Sequence, residues 1–87
     1  MLILTQDRKN VLDSDSLKNF KVNQFREVIA IPKSDAERQE CEYGRYLLGT
    51  YQSEQKATKV LSQLFEALTE QKTDFKMPFT QKRNRGN

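Results

Sequence analysis

The chain has no histidine and no tryptophan, and only one cysteine, three glycines and two prolines among its 87 residues. The missing imidazole removes the commonest general base and the commonest nitrogen ligand for metals. Cys41 therefore lacks a histidine partner for nucleophilic catalysis, and Glu40 and Glu42 beside it disfavour the thiolate that such chemistry needs. A lone thiol closes no internal disulfide, which fits a reducing compartment. With only three glycines, Gly44, Gly49 and Gly86, no phosphate-cradling loop can be assembled. Long apolar runs are also missing: nothing approaches the roughly 20 residues of a membrane span. Met1-Leu2-Ile3-Leu4 turns polar at once and has no basic lead, so it is not expected to be a secretory signal.

What is present is charge, and its distribution matters more than its sum of +3. Residues 1–78 carry twelve basic and twelve acidic side chains, so the whole excess lies in the tail, as Lys82, Arg83 and Arg85. A neutral body argues against a dedicated basic face. A basic tail allows weak, salt-sensitive contact with phosphates.

One stretch has a period that can be read by itself. Ala57, Val60, Leu61, Leu64, Phe65 and Leu68 recur at spacings of three and one, which places all six on one face of an α-helix and predicts that all six enter the core. Ser53 is the expected N-cap and Glu54 suits the positive end of the helix dipole, while Lys56 stands where a full capping box has an acid or amide. The helix is expected to run to about Gln71.

Ahead of it the pattern is that of strands. Leu2-Ile3-Leu4 and Val11-Leu12 flank the polar cluster Gln6 to Asn10, which predicts a hairpin. Asp13-Ser14-Asp15-Ser16 is a breaker whose side chains can bond nearby backbone N–H groups, with Leu17 anchoring it. The D-x-D pair lacks the glycine and the distant glutamate of a calcium loop and is read as a turn. Phe20 and Val22 alternate with polar residues. Glu27-Val28-Ile29-Ala30-Ile31 is a β-branched strand ended by Pro32, and Lys33 to Glu42 is an acidic loop. The next strand spans Tyr43 to Tyr51, where Gly49 predicts a bulge or a close approach by the helix. After the helix, Phe75, Met77 and Phe79 alternate with Lys76 and Pro78, so this segment is an edge strand or an extended arm. The expected architecture is α+β: an antiparallel meander of about five short strands, one amphipathic helix across one face, then the arm. Residues 1–79 form one domain and residues 80–87 a basic tail.

Leu48-Gly49-Thr50-Tyr51-Gln52-Ser53-Glu54-Gln55-Lys56-Ala57-Thr58-Lys59-Val60-Leu61 and Phe75-Lys76-Met77-Pro78, with Leu4-Thr5-Gln6-Asp7, resemble small uncharacterised proteins of phages and mobile elements in low-GC Gram-positive bacteria. Those proteins share an LGTYxSEExAxxVL junction and a closing FxMP. Gln55 departs from the pattern, and the acidic insert before Tyr43 and the basic tail fall outside it. The resemblance implies a phage or mobile-element setting in a bacterial host and carries no catalytic residue; the cytoplasmic location is expected from the lone thiol and from the lack of a signal or spanning pattern.

The residues therefore point to a small non-enzymatic interaction protein with no cofactor or metal, in which Phe75, Met77 and Phe79 either fill a gap in the protein's own core or meet a protein partner or a second copy in a homodimer; a modulator of a host protein is one form of this. The alternative is a nucleic-acid accessory protein using Lys82, Arg83 and Arg85. Tyr43, Tyr46, Tyr51, Phe20 and Phe25 are read as core and cross-strand packing before a stacking platform.

Overall fold

The computed structural model describes residues 1–33 and 45–80. Within them are six strands and one α-helix: β1 (Leu2–Leu4), β2 (Val11–Asp13), β3 (Leu17–Val22), β4 (Glu27–Pro32), β5 (Tyr46–Thr50), α1 (Glu54–Thr69) and β6 (Asp74–Lys76). The α+β class is as expected, but the strands form two three-stranded sheets, in the orders β2-β1-β6 and β3-β4-β5. The break falls at the Asp13 to Ser16 cluster. There the Asp13 carboxylate accepts from the Asp15 N–H at 3.0 Å and the Ser16 hydroxyl donates to the Asp13 carbonyl at 2.8 Å. This short 3-10 turn redirects the chain before Leu17, which is buried as its anchor. The arm supplies the other difference: β6 joins β1 in parallel, pairing Ile3 with Phe75.

Strand β4 lies between β3 and β5, antiparallel to both. Its position explains its composition, because Val28, Ile29, Ala30 and Ile31 are all buried, as a central strand covered on both faces requires. Asn23 shapes the turn that enters it, accepting from the N–H groups of Phe25 and Glu27, while Arg26 takes the left-handed conformation at φ 62°.

Helix α1 starts where the sequence predicts, with the Ser53 hydroxyl accepting from the Lys56 N–H at 3.1 Å. It ends in a Schellman pattern: Lys72 donates to the Ala67 carbonyl and Gln71 to that of Leu68, with Gln71 at φ 59° in place of the usual glycine. Ala57, Val60 and Leu64 meet Ile3, Leu17, Val28, Ala30, Leu48, Tyr51 and Met77 in one core that draws on both sheets.

The β4–β5 register shifts between Val28 and Ile29, which face Gly49 and Leu47, so a bulge falls at Leu48 beside the glycine. The close neighbour of Gly49 is Tyr51 rather than the helix: a Cβ there would lie 2.7 Å from the phenol oxygen and 3.0 Å from two ring carbons. Gly49→Ala should therefore cost about 1–3 kcal/mol by overpacking, read as a lowered denaturation midpoint at constant slope.

Candidate functional site

Two surfaces carry unused chemistry, and both are made where α1 meets other elements. The first is a seam tying the arm to β1 and β5. The Gln6 amide nitrogen faces the carbonyls of Thr50 at 3.0 Å and Pro78 at 3.1 Å and the Thr80 hydroxyl at 3.1 Å, and its oxygen accepts from the Thr50 N–H at 3.0 Å. Thr80 donates to the Thr50 carbonyl at 2.6 Å and Tyr51 to that of Pro78 at 2.9 Å. Arg8, held at φ 64° in the β1–β2 turn, donates to the Met77 carbonyl at 2.9 Å and sets its guanidinium 4.0 Å from the centre of the Phe79 ring. Burial pushes the Tyr51 hydroxyl up to about 12, against the opposing pull of the Arg8 charge and the Gln6 side chain. Beside the seam, the Thr5 hydroxyl, donating at 2.6 Å, and then the Lys9 N–H hold the Asp7 carboxyl below its ordinary value.

A trough of about 210 Å³ opens along this seam. Tyr51 and Val60 lie at its base, Lys56, Lys59 and Gln63 form the helix side, and Pro78, Phe79 and Thr80 form the arm side. Among the described residues its lining holds two ammonium groups and no carboxylate. Lys56 donates to the Gln52 side chain at 2.8 Å, and among the described residues neither lysine has a carboxylate within ion-pairing distance.

The second surface is an apolar ledge between α1 and β3, enclosing about 360 Å³ and lined by Phe20, Thr58, Leu61, Ser62, Phe65 and Leu68. Here the expected six-residue core stripe divides. Ala57, Val60, Leu64 and Ala67 face the core, Leu61 and Leu68 are half-buried, and Phe65 is 65% exposed. At about 100° per residue, Phe65 sits roughly a third of a turn from the centre of the buried side, too far round to reach the sheet.

The arm residues are thus placed differently from one another. Met77 is fully buried in the protein's own core, Phe75 is half-buried against that core, and only Phe79 is largely exposed. Lys82, Arg83 and Arg85, together with Cys41, Tyr43 and the acidic loop, lie outside the described residues. Of the remaining aromatics, Tyr51 is buried and Phe20 half-buried, while Tyr46 and Phe25 are exposed. Sequence reasoning passed over Gln6, Arg8, Lys56 and Lys59. The first two show no local signal, because their partners are up to 74 positions away, whereas the lysines were legible as a basic pair one turn apart.

Among the described residues, no helix is long and apolar enough to cross a membrane. No known protein family, curated protein or solved structure matches the chain.

Proposed function

We propose that this chain is a small non-enzymatic protein-binding module of a phage or mobile element, and that it docks its partner on the ledge of Phe20, Leu61, Phe65 and Leu68. The observation behind this reading is the exposed Phe65: a phenylalanine on the outward shoulder of a core helix, beside half-buried leucines, joins isolated side chains into one apolar surface. Met77 is committed to the interior, which turns the partner-binding role from the arm to the helix. The strand that supplies Phe20 also exposes Lys18 and Lys21, and edge lysines oppose pairing with a second copy. They favour a partner segment whose apolar side is flanked by acidic residues. The absence of histidine from the sequence and the phage-protein resemblance support the non-enzymatic and host-directed parts of the reading.

Phe65→Glu tests this directly. Being surface-exposed, the substitution should change stability by no more than about 0.5 kcal/mol, checked by thermal melting. With the immobilised protein as bait in a low-GC Gram-positive lysate, an acidic protein retained by the native chain should be lost from Phe65→Glu and from Lys18→Glu with Lys21→Glu. Retention indifferent to both variants would overturn the reading, as would a native chain whose mass by light scattering doubles and reverts in Phe65→Glu, since the ledge would then be a self-association surface.

A further inference from the structure

We infer that the trough between α1 and the arm is a binding site for single-stranded nucleic acid, in which a base stacks on Phe79 while Lys56 and Lys59 hold the adjoining phosphate. The inference is independent of the protein-binding ledge and rests on different residues.

Three features of the trough select this ligand. Among the described residues its only charged lining groups are two ammonium groups on consecutive turns of one helix, and Arg8 adds a third cation at the Phe79 ring, so the local field favours a polyanion although residues 1–78 are neutral in sum. The Phe79 ring is 63% exposed, and it is held in place because the guanidinium on it is itself fixed by the Met77 and Thr5 carbonyls at 2.9 and 3.3 Å. An exposed ring with a pinned orientation is a stacking surface that loses little freedom when a base settles on it. Finally, a volume of about 210 Å³ accommodates part of an extended strand and not a duplex, whose bases keep their faces within the stack. An anionic peptide would satisfy the lysines and leave the ring without a use.

The experiment uses the full chain and a fluorescein-labelled single-stranded oligothymidine, followed by fluorescence anisotropy over a range of salt concentrations. Binding should weaken steeply with salt. Phe79→Ala should lower affinity by about 5- to 150-fold, the range of one lost base stack. Lys56→Glu with Lys59→Glu should lower it at least about tenfold and flatten the salt dependence by between one and two counterions. All three positions are exposed, so unchanged melting of the variants verifies their fold. Phe65→Glu should bind the oligonucleotide like the native chain, which separates failure of this site from failure of the ledge. Deleting residues 81–87 should weaken binding while keeping its dependence on Phe79. The inference is overturned if no binding appears at low salt, if a duplex of the same length binds equally well, or if the deletion abolishes binding that the Phe79 and lysine variants leave intact.

Discussion

Met77→Ala is expected to lower the free energy of unfolding by about 2–5 kcal/mol, the usual cost of emptying a buried site of this size. The side chain is completely buried among residues of both sheets and the helix, and its N–H donates to the Leu4 carbonyl at 3.0 Å. Truncation leaves a cavity where three elements converge, and none of them can close it without abandoning its other contacts. Against a total stability of roughly 5–15 kcal/mol for a domain of this kind, that is a large fraction. A urea titration should show a lower midpoint with little change in slope. Phe79→Ala, two residues further along the same arm, should shift the midpoint far less, because that ring already faces solvent. Equal effects at the two positions would mean that the arm is not seated as described.

Alkaline pH should destabilise the fold through one phenol. Tyr51 keeps its proton to about pH 12 in the folded protein, against an ordinary value of 10.0, because burial of its hydroxyl disfavours the phenolate. Above about pH 10 the unfolded chain releases this proton and the folded chain retains it, so the unfolded state binds fewer protons and stability falls as pH rises. The contribution is fully present below pH 10 and is lost on rising to about pH 12, at no more than about 1.4 kcal/mol per pH unit. Unfolding free energies measured from about pH 9 to about pH 12 should show this decline. Tyr51→Phe should start lower by about 1 kcal/mol for the missing hydrogen bond and then lose less across the same interval. A native chain and a Tyr51→Phe variant that decline in parallel would remove the phenol as the cause.

Much of this arrangement is legible in the sequence. The helix from Glu54 to Thr69 follows from its spacing and from Ser53, and β4 from its run of β-branched residues ended by Pro32, because both signals depend on neighbours in the chain. The division of the helix stripe was only half legible. Periodicity ranks Phe65 with Leu61 and Leu64, but how much of an apolar arc finds a surface to cover is decided by the width and position of the sheet beneath it. Gly49 announces the bulge that falls beside it, but not its close neighbour, which is the ring of Tyr51 rather than the helix. The single meander failed for a similar reason: local turns said which strands follow one another, and nothing in the alternation of Phe75, Met77 and Phe79 named Leu2 to Leu4 as their neighbour. The C-terminal cap of α1 was hidden because Gln71 occupies a position that glycine usually announces.

The parallel pairing of β1 with β6 joins strands at opposite ends of the described residues and carries the largest loop-closure cost in the fold. Helix α1 and the β3-β4-β5 sheet draw on residues 17–69 and can find one another by closing modest loops, whereas Ile3 obtains its Phe75 neighbour only by closing a loop of about seventy residues. On a growing polypeptide the β1–β2 hairpin lacks its second neighbour until β6 has emerged. The sheet of β2, β1 and β6 is thus expected to close last, with the Gln6 and Arg8 bonds to the arm as its fastening.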